Sequence, residues 1–519
     1  MVWFAPTPQL IPDLIALNSH WLRDKPAVIV DDTVHSWTAF GRGTSRVANA
    51  LLERGLVQGD RVIVLMHNSL AMAEAIFGIM RAGLVVVPLN VAVADSAVAG
   101  MIANCGARAI IASDEHMQRI TDLASGLSGE VRSRLIGLRP VLPGWQDYDE
   151  MREAAPDVLA TIPIKPEDPC NIIYSSGTTG VPKGIVHSHA CRSFWASDLA
   201  VALRYHSGAR TLCNLGLYSN ISWVAMLATL FAGGTLVIQR RFEVKDCLQA
   251  IQDHGITHAA MVPLQYQRLL EYDDFDDFDL SSLDATMCCG SPLSVVHKRA
   301  IMERLPGDFI ELYGLTEGLV TILPPEDMQV KIESVGRPAP GQHMAIIDDG
   351  DQVVANGEAG EIVGYSRLMM SGYHGNDTES EAATWLHPSG ARWLRTGDIG
   401  RIDDDGFLYL VDRKKDLIIS GGQNIYPADI EAVLIRHKDV SEVAVIGVAS
   451  KRWGETPLAL VVARQGARAD AEELAAWTNG QLGKQQRIAA VRFLAQLPRN
   501  PNGKVLKREL RKQFATLTF

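Results

Sequence analysis

Apolar residues recur along the chain at two different spacings, and the two spacings alternate. Residues 38–56 carry apolar side chains at helical spacing, and the unbroken apolar run 61–65 follows them. The first pattern predicts a helix and the second a buried strand. The pair recurs directly downstream, as a predicted helix over 70–81 and a predicted strand over 84–88. Farther along the chain, predicted strands over 211–214, 235–239 and 257–262 alternate with predicted helices over 221–231 and 244–254. Such alternation predicts parallel sheets covered by helices, whose ligands bind beyond the carboxyl ends of the strands.

The loop after one predicted strand has the composition of a phosphate site. Residues 170–174 form a short strand-like run, and the chain from there to Gly184 is rich in hydroxyls and glycines and contains Lys183. Glycines let backbone amides converge on an anion, and the hydroxyls and the lysine add donors. The loop is not a Walker loop, because Val181 and Pro182 precede the lysine and a glycine follows it. A solvated loop is the competing interpretation, and we favour a polyphosphate cradle.

Two further loops follow predicted strands. Residues 285–289 lead into Gly290, Ser291 and Pro292, and residues 308–312 lead into the sequence Tyr-Gly-Leu-Thr-Glu over 313–317. A glutamate beside a threonine offers oxygen ligands for magnesium, and an aromatic ring can stack on a base. Alone, the second segment is more typical of a structural turn.

Beyond Gly360 the pattern changes to short strands separated by turns, which predicts a β-rich section with strands over 361–364 and 406–411. The segment 395–398, which ends in Asp398, falls between those strands, where its carboxylate can accept hydrogen bonds from ribose hydroxyls; a lone Thr-Gly-Asp is, however, more typical of a turn. Consecutive charges over 412–416 and a Gly-Gly pair at 421–422 predict a hinge between domains. The rest of the chain is compatible with a small α+β domain, and near its end a stiff loop over 498–504 presents Lys504.

Composition excludes several classes of protein. The chain has 519 residues, too many for one ordinary core, and its formal charge of -11 argues against a nucleic-acid partner. No apolar run is long enough to span a membrane and the first residues lack a signal-peptide pattern, so we expect a cytoplasmic protein.

The seven cysteines are scattered without a CxxC pair, which predicts buried thiols rather than disulfides or a zinc site. The acidic run 271–279 lacks the spacing of a calcium loop and is interpreted as a solvated connector, and Gly41-Arg42-Gly43 lacks the third glycine of a dinucleotide fingerprint.

In their order and spacing, these motifs together resemble the adenylate-forming superfamily of acyl- and aryl-CoA synthetases and other AMP-binding enzymes. The resemblance extends from before Phe40 to the Lys504 loop. It implies an α/β fold with a large N-terminal domain, residues 1–413, made of helix-covered, mostly parallel sheets plus a β-rich section. It also implies a small, mobile α+β C-terminal domain, residues 414–519, with its hinge near Lys415.

The resemblance also implies roles for individual residues of the large domain. Tyr313 flanks adenine together with Gly290 and Ser291, Thr316 contacts the α-phosphate, and Glu317 binds magnesium. Asp398 and Arg413 resemble the pair that binds ribose. The loop that holds the β- and γ-phosphates corresponds to Ser175, Ser176, Gly177, Thr178, Thr179, Gly180 and Lys183.

In the small domain, the resemblance makes Lys504 the lysine that bridges the carboxylate and the α-phosphate during adenylation. Gly421 and Gly422 resemble the turn that admits the pantetheine arm of CoA, and Asn424 joins them as a cofactor-binding residue. Thr316, Glu317 and Lys504 are the expected catalytic residues.

Two positions depart from the family pattern. Cys289 stands where the family commonly has a glycine, so adenine packing is expected to differ. Ser219 stands where many relatives have a histidine that gates the acyl pocket, which favours a bulky acid. Trp195, Trp223 and Met226 are candidates to line that pocket, and core packing of both tryptophans is the alternative.

The implied activity is an AMP-forming acid–CoA ligase that uses ATP, Mg²⁺ and CoA. The expected acid is aromatic, arylalkanoic or medium-chain. Two alternatives stay open at this point: a stand-alone adenylating enzyme that loads a carrier protein, and a nucleotide-binding module without catalysis. A monomer and a homodimer are both compatible with the sequence.

Overall fold

The computed structural model describes residues 9–123, 126, 129–175, 183–413, 416–420, 423–468, 470–483, 486–500 and 503–519. For Glu130, Arg413, Gln423 and Asn424, only the backbone is described. Strands and helices are numbered in chain order. None of the helices in these ranges is both long and apolar enough to cross a membrane.

The alternating part of the chain forms two large, mostly parallel sheets, as predicted. The first has the strand order β19-β9-β8-β4-β3-β5-β6-β7, and the second has the order β16-β15-β14-β13-β12-β10-β11-β1-β2. The strands of the first sheet are β3 (Arg61–Leu65), β4 (Val85–Pro88), β5 (Ala109–Ala112), β6 (Leu135–Gly137), β7 (Gln146–Asp147), β8 (Pro169–Ser175), β9 (Lys183–Ser188) and β19 (Gly372–Tyr373). The strands of the second sheet are β1 (Pro26–Val30), β2 (Thr33–Ser36), β10 (Arg210–Cys213), β11 (Thr235–Ile238), β12 (His258–Met261), β13 (Ala285–Cys288), β14 (Asp308–Gly314), β15 (Val320–Leu323) and β16 (Arg337–Pro338).

Two smaller sheets follow. An antiparallel sheet contains β17 (Gln342–Ile347), β18 (Gly360–Ser366), β20 (Thr384–Leu386), β21 (Arg392–Ile402) and β22 (Leu408–Arg413). The last sheet contains β23 (Ile418–Ser420), β24 (Gln423–Ile425), β25 (Val440–Ser450), β26 (Gly454–Ala463) and β27 (Ala490–Phe493). The β-rich section and the small α+β unit are therefore both present, and the domain boundary at 413/414 stays a prediction.

The helices cover the sheets on their apolar faces. They are α1 (Ile11–Trp21), α2 (Trp37–Glu53), α3 (Leu70–Arg81), α4 (Asp95–Cys105), α5 (Asp114–Asp122), α6 (Gly129–Arg132), α7 (Tyr148–Ala154), α8 (His189–Ala202), α9 (Asn220–Ala232), α10 (Val244–His254), α11 (Pro263–Leu270), α12 (Val295–Arg304), α13 (Pro325–Met328), α14 (Asp377–Ala382), α15 (Pro427–Leu434), α16 (Ala471–Asn479) and α17 (Lys507–Gln513). The largest core lies among α1, α2, α3, α8 and α9 and the strands they cover, and it includes Trp37, Phe40 and Phe77.

Several predicted boundaries are wrong for identifiable reasons. The helix predicted over 38–56 ends at Glu53, because Gly55 takes a left-handed φ of 76° that stops it. The segment 395–398 belongs to a further strand, β21, and is not a turn, since it pairs with β18 and β22. The acidic run is a connector, but it contains a short 3₁₀ helix whose Phe275 is buried beneath Arg304, so it is not wholly solvated.

Two other interpretations are confirmed. All seven cysteines are buried and free. Gly41 and Gly43 lie within α2, where added Cβ atoms would overlap Ser19 and Glu74, so these glycines serve close helix packing and not a nucleotide.

Candidate active site

The hairpin of β14 and β15 presents the Tyr-Gly-Leu-Thr-Glu segment. Tyr313 and Gly314 end β14 instead of beginning a loop, because they pair with Thr321 and Val320 of β15. The connecting loop carries Thr316 and Glu317. It needs a glycine at 318, where φ is 120° and an added Cβ would lie 2.2 Å from the carbonyl oxygen of Leu368. The loop is thus packed tightly against the chain at 368–370, and the amide of Met370 donates to the Glu317 carbonyl at 2.8 Å.

The predicted adenine and ribose residues are in direct contact. The Tyr313 hydroxyl donates to Asp398 Oδ2 at 2.8 Å. Asp398 is buried in β21, and its register partner in β22 is Arg413. The strand pairing therefore brings the backbones of the two predicted ribose-binding residues together, beside the ring predicted to flank adenine.

A second contact joins the predicted magnesium ligand to the predicted phosphate loop. The Tyr373 hydroxyl donates to Glu317 Oε1 at 3.0 Å, and Lys183 Nζ lies 5.0 Å from the centre of the same ring. Lys183 also forms an ion pair with Glu379 at the start of α14. Burial and the carboxylates of Glu317 and Glu379 hold the pKa of Tyr373 above its usual range, so its hydroxyl stays a donor at neutral pH.

Lys183 begins β9 and therefore does not belong to the loop itself. β9 pairs antiparallel with β8, and Ser175 faces Lys183 across the pair. The predicted phosphate loop thus connects the two strands of a hairpin. Its members Ser176, Gly177, Thr178, Thr179 and Gly180 lie outside the described residues, as do Lys415, Gly421 and Gly422.

A buried polar network holds the carbonyl of Thr316. His187 Nε2 donates to this oxygen at 2.8 Å, and its Nδ1 accepts from Arg192 Nη2 at 3.2 Å and faces Asn171 Nδ2 at 3.3 Å. Because a carbonyl can only accept, these contacts fix the neutral tautomer with hydrogen on Nε2. Burial and the Arg192 charge hold the pKa of His187 well below its usual range, so the ring is neutral at neutral pH.

Arg192 is fully buried between two tryptophans. Its guanidinium lies 5.4 Å from the ring of Trp195 and 4.8 Å from that of Trp223, and it donates to the amide oxygens of Asn171 and Asn220. Burial lowers the pKa of Arg192 to about 10, which still leaves it charged at neutral pH. Cation–π contacts and charge-assisted hydrogen bonds thus stabilise this cation.

The structure bears on the two interpretations of the tryptophans. Trp195 Nε1 donates to the Leu368 carbonyl at 2.9 Å and Trp223 Nε1 to the Leu217 carbonyl at 3.0 Å. Both rings and Met226 belong to the largest core, which supports core packing of the tryptophans, and the pocket-lining interpretation stays a prediction. Ser219 caps α9 by accepting from the Ile221 amide at 3.4 Å, and Cys289 is buried at the end of β13.

The Lys504 loop lies against the large sheet. Asn500 Oδ1 accepts from the Lys504 amide at 2.8 Å, and Gly503 takes a left-handed φ of 79°. A Cβ at Gly503 would contact Val262 Cγ2 at 3.7 Å, and a Cβ at Gly290 would contact Val262 Cγ1 at 3.4 Å. The Lys504 loop and the Gly290-Ser291 turn therefore face the same side chain at the carboxyl end of β12.

A cavity of about 340 Å³ lies at this junction. Gly503 closes one part of its wall, and the ends of β10 and β12 supply another through Asn214, Gly216 and Val262. Tyr218 lies in the wall, next to Ser219 at the position of the expected histidine gate. The cavity is large enough for part of an organic acid and lies where ligands of parallel sheets bind.

Three residues of this region carried no signal in the sequence: Tyr373, Glu379 and His187. None of the motifs identified in the sequence includes them, and only the folded chain brings each of them to Glu317, Lys183 or Thr316. A carboxylate and a hydroxyl at 316–317 supply the oxygen ligands that Mg²⁺ prefers when substrate phosphates complete its coordination, so these side chains fit that ion.

Two family models and several known proteins match most of the chain. Residues 18–374 match the model of the AMP-binding enzyme family, and residues 429–504 match the AMP-binding enzyme C-terminal domain. A feruloyl-CoA synthase of Amycolatopsis sp is 33% identical over 485 residues, 93% of this chain and 94% of that protein. The fatty acid–[acyl-carrier-protein] ligase ScoC of Streptomyces coeruleorubidus is 31% identical over 501 residues, 94% of this chain and 93% of that protein.

A solved structure of a CoA synthetase is also similar to this chain over nearly its whole length. O-succinylbenzoate CoA synthetase (MenE) from Bacillus subtilis, in complex with its acyl-adenylate intermediate, superimposes with a TM-score of 0.85 at 27% identity. The similarity covers 98% of this chain and 99% of that one.

Proposed function

Because the chain belongs to the AMP-binding enzyme family, we propose that it is an AMP-forming acid–CoA ligase. It activates a carboxylic acid with ATP as the acyl adenylate, releases pyrophosphate, and transfers the acyl group to CoA. The observation that carries the proposal is that the Thr316 loop and its flanking residues join two sets of contacts: Tyr373 touches both Glu317 and Lys183, and Tyr313 bonds Asp398.

The first half-reaction needs positive charge because both reactants are anions. The carboxylate oxygen attacks the α-phosphorus, the bond to the bridging oxygen breaks, and pyrophosphate leaves with the electron pair. Lys183 binds the departing phosphates, and Lys504 draws the carboxylate to the α-phosphate. Glu317 and Thr316 would hold Mg²⁺, which neutralises phosphate charge when bound.

The remaining contacts orient the nucleotide. Asp398 accepts from the ribose hydroxyls, and its hydrogen bond from Tyr313 fixes the carboxylate for that purpose. His187 holds the Thr316 carbonyl, so the loop that meets the α-phosphate is already in place before ATP arrives. In the second half-reaction the CoA thiolate attacks the acyl carbonyl and AMP leaves.

We propose an aromatic, arylalkanoic or medium-chain acid as the substrate. The feruloyl-CoA synthase relative supports an aromatic acid, and the small Ser219, at the position of the expected histidine gate, lies next to Tyr218 of the cavity wall. The ScoC relative supports a second candidate function, a ligase that loads the same kind of acid onto a carrier protein.

A panel of acids tests the proposal. Pyrophosphate release is measured with ATP, Mg²⁺ and each acid, alone, with CoA, and with a phosphopantetheinylated carrier protein, and products are identified by mass spectrometry. We expect the strongest turnover with an aromatic acid and CoA. A product found only on the carrier protein would support the second function, and nucleotide binding without pyrophosphate release for any acid would contradict both.

A further inference from the structure

Three metal-ligand side chains meet where two neighbouring strands of the first sheet end. His67 follows β3 by two residues, and Glu115 and His116 lie in the first turn of α5, just after β5. β3 and β5 are parallel, with Leu65 opposite Ala112, so their carboxyl ends share one edge. One ring nitrogen of each histidine and one oxygen of Glu115 lie within 4.8 Å of one another.

The contacts within this cluster leave ligand atoms unused. His67 Nε2 lies 3.5 Å from Glu115 Oε2, and the two histidine rings are 5.0 Å apart. His116 Nε2 is buried, and no hydrogen-bond partner for it exists in the part of the chain that the structure describes. A buried ring nitrogen without a partner costs free energy, and a bound cation would relieve that cost.

Arg240, just beyond β11, orients the carboxylate of Glu115. It pairs with Oε1 of Glu115 and so leaves Oε2 facing His67. An outer partner that fixes a carboxylate in this way is common around metal sites, because it orients the ligand and tunes its basicity.

A second cluster of the same size provides a contrast. His206, His258 and Asp284 also bring their ligand atoms within 4.8 Å. However, both nitrogens of His258 are occupied, by Thr257 Oγ1 at 2.7 Å and the Arg204 carbonyl at 3.2 Å, and His206 Nε2 bonds Asp284 at 3.1 Å. The ring nitrogens described in this second cluster thus have hydrogen-bond partners, whereas His116 Nε2 in the first cluster has none among the described residues.

We propose that His67, Glu115 and His116 bind a divalent transition-metal ion such as Zn²⁺ or Co²⁺. Two imidazoles and one carboxylate suit these ions, whereas Mg²⁺ prefers oxygen ligands, so the site is chemically distinct from the magnesium site at Glu317. Three protein ligands leave a fourth position for water or another ligand. His67 and Arg240 both line the 340 Å³ cavity, so the ion is bound at its wall.

Cobalt provides a direct probe, because Co²⁺ bound by imidazole absorbs visible light. The full-length protein is titrated with Co²⁺ in excess Mg²⁺, and Zn²⁺ binding is measured by calorimetry. We expect one equivalent to bind with a nitrogen-ligand spectrum and His116→Ala to weaken binding at least about tenfold. His206→Ala, in the second cluster, is the matched control and should leave the affinity unchanged.

Glu115→Gln provides a second variant of nearly unchanged size, useful if His116→Ala unfolds, and it should weaken binding in the same way. Thermal melting of each variant without metal shows whether it is folded. Wild-type protein that binds no Co²⁺ or Zn²⁺ under these conditions would overturn the site. Equal affinity in wild type and in folded His116→Ala or Glu115→Gln would place the ion elsewhere and overturn it as well.

Discussion

Lys183 is held by a carboxylate on one side and an aromatic ring on the other. Its Nζ pairs with Glu379 and lies over Tyr373, which in turn bonds Glu317. A polyphosphate that binds Lys183 must therefore draw it away from Glu379. Glu379 is about one-third exposed, with 35% of its side chain accessible, so the pair is weak enough to be exchanged.

Glu379→Gln should lower the KM for ATP, because the competing carboxylate is gone. A pair this exposed contributes at most about 1 kcal/mol, which corresponds to a change of up to about fivefold. Lys183→Ala should raise the KM at least about tenfold, because it removes a charge-assisted contact to phosphate. Initial rates of pyrophosphate release at varied ATP measure both, with Glu381→Gln on the same helix as the control. A higher KM in Glu379→Gln would contradict the competition.

The buried Glu74 should make the stability of the protein depend on pH in a defined direction. It is buried, accepts from Arg152 Nη1 at 2.8 Å, and burial raises its pKa to about 7 against the opposing charge of Arg152. The unfolded chain ionises this group near its ordinary value of 4.5. The folded state therefore holds the Glu74 proton more tightly than the unfolded chain does. The stability that this proton contributes is present below about pH 4.5 and should be lost as the pH rises through about 7.

Glu74→Gln removes this titration. Between pH 5.5 and 7.5 the free energy of unfolding of the wild type should fall relative to that of the variant, by up to about 2 kcal/mol. Urea unfolding at both pH values measures the difference. Glu153→Gln, which removes an exposed partner of the same Arg152, is the control. A wild type that gained stability over the variant with rising pH would show that Glu74 is already ionised at the lower pH.

Helices α2 and α3 pack closely because of glycines. A Cβ at Gly78 of α3 would lie 2.7 Å from Val47 Cβ and 2.9 Å from the Thr44 carbonyl oxygen of α2. These distances are shorter than any ordinary contact, and the Thr44 carbonyl cannot move without the helix. The separation of the two helices is therefore set at Gly78.

Gly78→Ala should destabilise the protein by about 1–3 kcal/mol, although alanine has the higher helix propensity, because the helices must separate. Gly100 in α4 has nothing within 4 Å of an added Cβ. Gly100→Ala is therefore the matched control and should stabilise by about 0.5–1 kcal/mol. Thermal unfolding of both variants measures the contrast. A Gly78→Ala protein as stable as Gly100→Ala would show that α2 and α3 adjust freely.

The fold was largely predictable where one face of an element is buried. The predicted bounds of β3, α3 and α10 agree with the structure, because their apolar patterns match the periods of strand and helix. Prediction failed where pairing with distant strands decides the outcome. Residues 395–398 have the composition of a turn, yet their pairing with β18 and β22 makes them strand.

The candidate site was predictable only in part, for a similar reason. Tyr313 and Asp398 stood out as separate motifs, but their contact depends on how the second large sheet meets the antiparallel sheet. His187 and Tyr373 stand in no motif, and Arg192 had no feature that marks a buried cation. Their roles arise from packing between segments far apart in the chain, which local composition does not encode.

At the scale of the whole molecule, the two large sheets and the last sheet meet at the Lys504 loop. Gly503 lies against the end of β12, and β22 and β23 are the elements on the two sides of the predicted hinge. Around that passage, Asp412 Oδ2 accepts from the Ala428 amide at 3.1 Å and Arg511 bonds Asp416 at 2.7 Å. The first of these contacts crosses the predicted boundary at 413/414 and would have to break if the last sheet turns about a hinge near Lys415, whereas the second lies within the small unit.

If the small domain turns between the half-reactions, Lys504 serves only the first. Lys504→Ala should lower the rate of acyl-adenylate formation about 10²–10³-fold, because it removes one charge that stabilises the transition state. Thioester formation from supplied acyl adenylate and CoA should change little. Pyrophosphate release measures the first step and mass spectrometry of the thioester the second. Lys451→Ala, an exposed lysine on the same domain, is the control and should alter neither. Equal loss of both steps in Lys504→Ala would mean that this lysine stays at the reacting centre throughout, and the proposed rotation would then have no role in separating the two reactions.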